Sequence, residues 1–387
     1  MDLTVIGAGP KGVAVAARAA CLRATGHSPP GITIIESHRA GYHWTRGGGW
    51  TDGFHRLGTS PLMDLSFPYR EESTPLQEEL RRYSWPAFLT AVGRYDEWVD
   101  RGLPAPRHSL RAGYLKWALE CSQTRVIHDT VEALGCTSSG WKICTRSDES
   151  LETNAVMVTG FVSVTDRIMP NSVPANTMWE ETSGLGAARR VGIIGLGKTA
   201  GSALAAIDQL HPDWSVTVVS GSQSVDSRGE GYLENRFYSD PGEAWRMLSE
   251  ADRRDFIRRT DRAVVSQAVQ RQIQVGLKFR HLLGYVNEVE VGEDGSKHMV
   301  LADGTVGPFD LVIEGRGGNA TWFSSLFTGN CWREFFILLA MIWEAAILLL
   351  AARVRSLIER EQFGTPLEGL SSMVFVALGV FVLVEST

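Results

Sequence analysis

The chain has 387 residues, a formal net charge of −6 and an isoelectric point near 5.9. This acidic balance, with no basic stripe, excludes a nucleic-acid-binding protein as the first interpretation. The length is enough for two or three domains. Its cysteines contain no Cys-x-x-Cys pair, so we expect no disulfide framework, no metal site and a cytoplasmic protein. They are Cys21, Cys121, Cys136, Cys144 and Cys331.

The N-terminal residues predict a βαβ unit that binds a dinucleotide. A strand over residues 3–6 runs into a Gly-x-Gly-x-x-Gly turn and then a small-residue helix. The three glycines allow a tight turn, the approach of a pyrophosphate and close packing of the helix. A second strand ends at Glu36, an acid able to hold a ribose hydroxyl. At the N-terminus this pattern favours FAD. The candidate turn residues are Gly7, Gly9, Pro10 and Gly12.

Residues 41–65 are rich in glycine and aromatic side chains, and we expect them to wrap the flavin ring, with Trp44 and Gly58 as contacts. The alternative is a surface loop with scattered aromatics. Further on, Ser84 begins a helix predicted to continue through Trp98, and a second helix covers 111–121. Strands are predicted over 125–128, 141–146 and 154–159.

A second dinucleotide signature begins at residue 190: a strand, a Gly-x-Gly-x-x-Ala turn, a helix over 200–210 and a strand over 215–219. Its turn residues are Gly195, Gly197, Lys198 and Thr199. The same letters match a phosphate-binding P-loop, which we reject because Gly192 belongs inside the strand.

The second unit ends in Ser220, where an acid would favour NAD. Its absence leaves room for a 2′-phosphate, and Arg228 together with Lys198 at the phosphate end can supply positive charge. The alternative for Arg228 is a solvated loop arginine. We therefore predict an NADPH site. Two such units in one chain indicate a flavin oxidoreductase in which hydride passes from NADPH to FAD.

The predicted fold is α/β, with two Rossmann-like dinucleotide-binding domains and an atypical apolar C-terminal segment. The first part of the FAD domain is expected over 1–185 and the NADPH domain, with a helical insertion, over 186–284. Residues 285–330 return to the FAD domain, with strands over 285–291, 297–301 and 309–313. The tail covers 331–387. A charged helix pair is predicted over 243–260.

Three loop motifs add a resemblance. Gly7-Ala8-Gly9-Pro10-Lys11-Gly12, the GGWTDG-x-HRLGTSP run over 48–61 and RGEGYLEN over 228–235 resemble the flavin-dependent N-hydroxylating monooxygenases. Within that family, they are similar to the lysine N-monooxygenases of mycobactin and nocobactin siderophore assembly. The likeness runs from residue 3 to about residue 327.

The resemblance implies that NADPH reduces FAD, that O₂ adds to form a flavin 4a-hydroperoxide, and that a neutral side-chain amine attacks its distal oxygen. The amine belongs to lysine or a lysine-derived group, and the product is a hydroxamate precursor. By the same resemblance, Asn235 contacts the amino-acid substrate and Asp261 meets the nicotinamide end. Met63 stands where the family generally has a lysine that holds the substrate carboxylate, a charge that a thioether cannot replace.

The tail departs from the family. Its apolar run 335–352, which begins with Phe335 and ends with Ala352, is interrupted by Glu344, and a shorter apolar run covers 373–384. Three interpretations stay open: a membrane contact, a buried helix and strand, or an altered reading frame. A homo-oligomer is a further expectation.

Two other functions compete with the hydroxylase. One is a plain NADPH-flavin reductase with a redox disulfide partner, against which the missing Cys-x-x-Cys argues. The other is a degenerate or membrane-tethered flavoprotein, which Met63 and the tail favour.

Overall fold

A computed structural model describes residues 1–48, 51, 53, 55–66, 74–159, 169–175, 177–178, 189–229, 231–239, 242–260, 264–317 and 322–328. Residues 1–327 form one compact unit, and of the second unit, 328–387, only Thr328 is described. The predicted tail runs therefore lie outside the described residues. Within the described ranges, no helix combines the length and apolar character needed to cross a bilayer.

In chain order the elements are β1 (Asp2–Ile6), α1 (Pro10–Ala24), β2 (Gly31–Ile35), α2 (Thr74–Arg81), α3 (Trp85–Ala91), α4 (Tyr95–Asp100), α5 (His108–Ser122), β3 (Arg125–Ile127), β4 (Val131–Thr137), β5 (Gly140–Thr145), β6 (Ser150–Thr153), β7 (Ala155–Val158), β8 (Val173–Pro174), β9 (Arg190–Ile194), α6 (Lys198–Leu210), β10 (Ser215–Ser220), α7 (Tyr232–Ser239), α8 (Gly242–Met247), α9 (Glu250–Thr260), α10 (Gln267–Val275), β11 (Arg280–Leu283), β12 (Val286–Val291), β13 (Lys297–Leu301), β14 (Gly304–Phe309) and β15 (Leu311–Glu314). Short 3₁₀ turns cover Tyr42–Trp44, Arg46–Gly48 and Trp322–Leu326.

The first nucleotide unit is a parallel sheet in the order β3-β2-β1-β7. Helix α1 connects β1 to β2 and packs on α5. Its buried face is made of small residues, which lets it lie close to the sheet. Behind it lies a core of large side chains that includes Trp85, Leu80, Tyr114 and Leu115. This core fixes α5 and the start of α3 beside the first glycine turn.

The second nucleotide unit is also parallel, in the order β11-β10-β9-β15-β8. Helix α6 follows the turn after β9, and its apolar face is buried against the sheet together with α10. Four members of this core are fully buried: Val191, Ile193, Leu204 and Val218. The predicted α/β fold with two Rossmann-like units is confirmed.

Two antiparallel sheets of three strands, β4-β5-β6 and β12-β13-β14, accompany the parallel ones. The second of these packs Met299 and Phe309 against β9. A Cβ atom on Gly192 would lie 2.6 Å from the Met299 side chain and 3.2 Å from Phe309. Gly192 therefore lies inside a packed strand, as predicted, and not at the start of a phosphate-binding loop.

Several predicted boundaries were wrong for local reasons. The helix predicted from residue 84 to 98 is two helices, because Gly93 takes a positive φ of 66° and the Arg94 N–H closes the turn on the Leu89 carbonyl. The strand predicted over 309–313 is the end of β14 and the start of β15, separated at Asp310. Strand β14 was missed because its glycines and proline argue against a strand by composition.

Candidate active site

The first glycine turn is built by two close backbone contacts. Gly7 has a φ of +99° and donates its N–H to the Ile35 carbonyl at 2.8 Å. A Cβ on Gly7 would lie 2.8 Å from the Thr159 hydroxyl, and one on Gly12 would lie 2.1 Å from the Gly7 carbonyl oxygen. Neither position therefore accepts a side chain without moving the turn.

Gly9 has the opposite environment. Within the described residues, no atom outside its chain neighbours lies within 4 Å of a Cβ placed on it. It is the N-cap of α1, Pro10 follows in the first turn, and no acidic residue occupies that turn. The N–H groups of a helix start attract anions. The open side of Gly9 is thus a place where a pyrophosphate can reach the backbone, and FAD fits it.

Next to Gly9 lies a cavity of 360 Å³, which has room for part of a dinucleotide bound at this turn. The Glu36 carboxylate borders it and accepts N–H hydrogen bonds from Ala8 at 2.7 Å and His38 at 2.9 Å. A carboxylate has acceptor capacity for a ribose hydroxyl beyond these two bonds. The His38 ring stacks on Tyr42 with centroids 3.9 Å apart. The described residues that line the 360 Å³ cavity are Gly9, Glu36, Ser37, His38, Gly41, Tyr42, His43, Gly47 and Gly48.

The second glycine turn repeats the geometry of the first. Gly195 has a φ of +86° and donates its N–H to the Val219 carbonyl at 2.7 Å. Gly197 is the N-cap of α6, whose first turn carries no acid. Beside the turn, the buried Glu314 carboxylate binds the Arg316 guanidinium through two bonds of 2.9 Å and raises the pKa of that arginine. The sequence marked residues 314–318 as a glycine-rich segment after a strand, suited to a dinucleotide surface, but it did not predict this ion pair.

Ser220 ends β10, beyond the second turn. Its hydroxyl lies 2.9 Å from the His281 Nε2 atom on the adjacent strand β11. No carboxylate replaces it at this position, so the strand end does not repel a 2′-phosphate.

A cleft of 510 Å³ is lined by residues from both nucleotide units. It brings together five predicted cofactor residues: Trp44, Gly58, Lys198, Thr199 and Arg228. Among the described residues, its lining includes four cations and no acid; the cations are Arg56, Arg107, Lys198 and Arg228. The cleft is therefore an electropositive space suited to a phosphorylated cofactor.

His108, which the sequence did not single out, contacts the segment 41–65 that was predicted to wrap the flavin ring, and it does so at this cleft. Its Nδ1 atom lies 2.8 Å from the Thr51 hydroxyl, and its ring meets Trp44 edge-on with centroids 5.0 Å apart. The backbone N–H of His108 donates to the His55 carbonyl at 2.7 Å. No motif marks such a residue in advance, because its role depends on loop backbone that only the fold brings near.

The predicted substrate residues are less completely placed. Asn235 lies in α7, but its side chain is outside the described part, as is all of Asp261. Met63 is half-buried in a turn, and its N–H donates to the Ser60 carbonyl at 3.1 Å. It is not among the described residues that line the 510 Å³ cleft.

The residue after Met63 fixes this turn to the core. The buried Asp64 carboxylate accepts hydrogen bonds from the Trp85 N–H at 2.6 Å and from the Ser66 N–H and hydroxyl at 2.8 and 2.6 Å. The Leu65 N–H donates to the Tyr114 hydroxyl at 2.9 Å, and that hydroxyl donates to the Tyr83 carbonyl at 2.5 Å. Burial raises the pKa of Tyr114, so its proton is held.

Arg111 lies beside this network on α5. It is 7% exposed, and its guanidinium carbon lies 4.7 Å from the centroid of the Tyr114 ring. Burial lowers the pKa of Arg111, while Tyr114 and Asp64 act in the opposite direction. An arginine nevertheless stays charged in a protein. A cation is therefore held inside the fold near the turn that contains Met63.

Two glycine turns on parallel sheets and an electropositive cleft reached from both define a flavin- and nicotinamide-dependent oxidoreductase of the two-nucleotide type. The chain is 40% identical over 341 residues to L-lysine N6-monooxygenase MbtG of Mycobacterium sp. (strain MCS), which covers 84% of this chain and 78% of the relative. It is 39% identical over 343 residues to MbtG of Mycobacterium tuberculosis strain H37Rv, with 84% and 79% covered. A scan against models of protein families found no match.

Among solved structures, the lysine monooxygenase NbtG from Nocardia farcinica superposes with a TM-score of 0.73 at 35% identity, covering 85% of this chain and 83% of that one. The ornithine N-hydroxylase KtzI of Kutzneria sp. 744 shares the fold, with a TM-score of 0.68 at 16% identity and coverage of 85% and 84%. The chain belongs to the L-lysine N6-monooxygenases of the flavin-dependent N-hydroxylating family. The predicted resemblance is confirmed, and FAD and NADPH are its cofactors.

Proposed function

We propose that this enzyme hydroxylates the side-chain amine of lysine, or of a lysine-derived group, with O₂ in hydroxamate siderophore biosynthesis. The observation that carries the proposal is the cleft of 510 Å³ shared by the two nucleotide units. The relatives at about 40% identity supply the substrate class, since they are named L-lysine N6-monooxygenases.

The first turn is proposed to hold FAD through Gly7, Gly9, Pro10, Gly12 and Glu36, with Trp44 and Gly58 at the flavin end. The second turn is proposed to hold NADPH through Gly195, Gly197, Lys198, Thr199, Arg228 and Asp261. When bound, the reduced flavin supplies the activated oxygen that is transferred to the amine. Asn235 and the surroundings of Met63 are proposed to contact the substrate.

The protein's own contribution is to keep the amine neutral and the site dry. A lysine-type ammonium loses its proton more readily when it is desolvated and when cations surround it. In the described part of its lining the cleft offers four cations and no acid, and Trp44 and Leu57 add apolar surface. This lining favours the free amine, which has the lone pair needed to attack oxygen, over the ammonium, which does not.

The test is to purify the chain with FAD, supply NADPH and O₂, and measure hydroxylamine product with lysine and with a panel of other amines. Lysine-dependent hydroxylamine supports the proposal. NADPH oxidation that yields only hydrogen peroxide with every amine would contradict it, and would favour a degenerate flavoprotein or a plain reductase.

Three further expectations complete the proposal. The FAD domain is proposed to comprise 1–185 and 285–330 and the NADPH domain 186–284, in a cytoplasmic enzyme. A homo-oligomer and a membrane contact through 335–352 are separate proposals. Analytical ultracentrifugation and flotation with vesicles, each with and without residues 331–387, test them.

A further inference from the structure

Gly58 of the first nucleotide unit meets Ser266 of the second. A Cβ atom on Gly58 would lie 2.5 Å from the Ser266 Cβ and 3.2 Å from its hydroxyl oxygen. Carbon atoms that are not bonded pack at about 3.5–4.0 Å, so a side chain at position 58 would require the two backbones to separate. The φ angle of Gly58 lies outside the left-handed region, and its conformation does not require glycine. The close approach of Ser266 does.

The Gly58 side of this contact is fixed to the first unit. The N–H of the preceding residue, Leu57, donates to the Pro106 carbonyl at 2.8 Å, and its side chain is buried. Arg56 and Arg107 form an antiparallel backbone bridge. Both partners of these bonds, at 106 and 107, lie directly before α5. Gly58 therefore moves with the FAD-side scaffold.

The Ser266 side is fixed to the second unit. Ser266 is the N-cap of α10, and its hydroxyl accepts the Val269 N–H at 3.2 Å. The preceding residue, Val265, is fully buried, and its carbonyl accepts the Arg228 N–H at 2.8 Å. A Cβ on Gly201 of α6 would lie 2.8 Å from the Val265 side chain. Ser266 therefore moves with α6, the helix that begins at the second glycine turn.

The contact lies where the two cofactors have to meet, because Gly58 and Ser266 both line the 510 Å³ cleft. In the reaction a hydride leaves NADPH, which is oxidised, and reduces the flavin. Such a transfer needs the reacting atoms about 3–3.5 Å apart, and a displacement of about 1 Å can cost a hundredfold in rate. A contact between two fixed residues at this cleft therefore limits how closely the two units approach.

We propose that Gly58 and Ser266 are positioning residues whose contact sets the distance between the two nucleotide units, and with it the distance over which hydride is transferred. The inference goes beyond the proposed function, because it concerns reduction of the flavin and not the amine that is hydroxylated. It also explains why position 58 carries no side chain: the limit comes from Ser266 and not from the flavin.

The first test is kinetic. Gly58→Ala in the FAD-loaded chain is expected to slow flavin reduction at saturating NADPH by about tenfold to a hundredfold in anaerobic stopped-flow measurements, because the methyl group holds the units about 1 Å further apart. Adding Ser266→Gly removes the Cβ that this methyl group meets. The double variant is expected to reduce its flavin within about threefold of Ser266→Gly alone, since glycine caps a helix only slightly less well than serine.

A matched control is Gly113→Ala on α5. A Cβ at that position would meet only the Phe88 ring, at 4.0 Å, which is an ordinary van der Waals contact. Its rate of flavin reduction should equal that of the wild type. FAD content and melting temperature, measured for every variant, show whether a slow rate comes from lost cofactor or lost fold.

A crosslink tests the contact without cofactors or turnover. In the apo protein, Gly58→Cys combined with Ser266→Cys is expected to form an intramolecular disulfide on oxidation, because such a bridge joins Cβ atoms about 3.5–4.5 Å apart and the backbones need to open only slightly. Non-reducing electrophoresis and peptide mass mapping detect the bridge. The two single-cysteine variants are the controls for pairing with the native cysteines.

Absence of a bridge between positions 58 and 266 would overturn the contact. Unchanged flavin reduction by Gly58→Ala would overturn the positioning role. So would a loss that Ser266→Gly fails to restore, which would make Gly58 a flavin contact alone. A chain whose flavin is reduced by NADPH but which forms no hydroxylamine would refute the proposed function and leave this inference intact, because reduction comes before the amine reacts.

Discussion

A Cβ atom on Gly12 would lie 2.1 Å from the carbonyl oxygen of Gly7. The two glycines are thus a matched pair: one turns the chain, and the other lets the helix pass directly over that turn. Gly9, between them, makes no such contact. The three glycines of one motif therefore have different physical roles.

This difference predicts two different defects. Gly12→Ala should destabilise the apo protein by about 1–3 kcal/mol or more, as overpacking of a closed site does. Gly9→Ala should leave the apo protein's melting temperature nearly unchanged, because none of the described residues packs against the new methyl group, yet weaken FAD binding at least tenfold, or by about 1.4 kcal/mol. Differential scanning fluorimetry of apo protein and FAD titration measure the two effects. Normal FAD binding by Gly9→Ala would contradict the assignment of its open side to the pyrophosphate.

Glu36 is expected to contribute to FAD affinity in two ways. Its carboxylate orders the turn through the Ala8 and His38 N–H groups and borders the 360 Å³ cavity. Glu36→Ala should weaken FAD binding by about 1–3 kcal/mol, the cost of losing hydrogen bonds to a charged group. Titration of apo protein with FAD measures it, and the exposed Glu152→Ala is the control. The same substitution should reduce the protein's affinity for FMN, which lacks the adenosine, by less than its affinity for FAD.

Lys198 and Arg228 are expected to differ in what they recognise. Arg228→Met should raise the KM for NADPH by about tenfold or more and leave the KM for NADH nearly unchanged, because NADH has no 2′-phosphate. Lys198→Met should raise the KM for both NADPH and NADH, since both nucleotides carry the pyrophosphate. Steady-state flavin reduction with each nucleotide distinguishes them, with the exposed Arg254→Met as control. Equal effects of Arg228→Met on both nucleotides would contradict the 2′-phosphate role.

The ion pair of Asp310 and Arg190 predicts a pH dependence of stability. Hydrogen bonding by Arg190, at 2.6 Å, holds the pKa of Asp310 down to about 2. A carboxyl whose folded pKa is depressed stabilises the fold above its unfolded pKa of about 3.9 and loses that contribution as pH falls toward 2. Asp310→Asn should therefore cost about 1–2 kcal/mol at pH 7, allowing for partial exposure. The difference from wild type should shrink between pH 4 and pH 2 in denaturant titrations.

The contrast with a neighbouring pair provides the control. Arg189 and Asp213 are also 2.6 Å apart, but their side chains are 70% and 61% exposed. Asp213→Asn should therefore change stability by less than about 0.5 kcal/mol at any of these pH values. A similar cost for both substitutions would mean that burial does not decide the strength of these pairs.

Local sequence patterns were enough to predict the two nucleotide units, because each unit is a short βαβ segment whose glycines, strands and helix are contiguous. Gly195 and its strand could be placed for that reason. Arg111 could not, since nothing near it in the chain marks it. Its burial depends on the fold bringing Asp64 and Tyr114 close to it, and its Nη1 atom has no hydrogen-bond partner within the described part of the chain. The break at Gly93 was likewise hidden, because Ser84 correctly marks a helix start and the apolar spacing continues across the break.

The turn that contains Met63 is tied to the interior through Asp64, Ser66 and the first N–H of the Trp85 helix. Its backbone position is thus set by the core and not by the side chain at 63. Under the substrate role proposed for residue 63, exchanging that side chain would alter the chemistry presented to the amine while leaving the surrounding scaffold in place. Substrate preference could then change through a single substitution, without first having to re-evolve a stable protein.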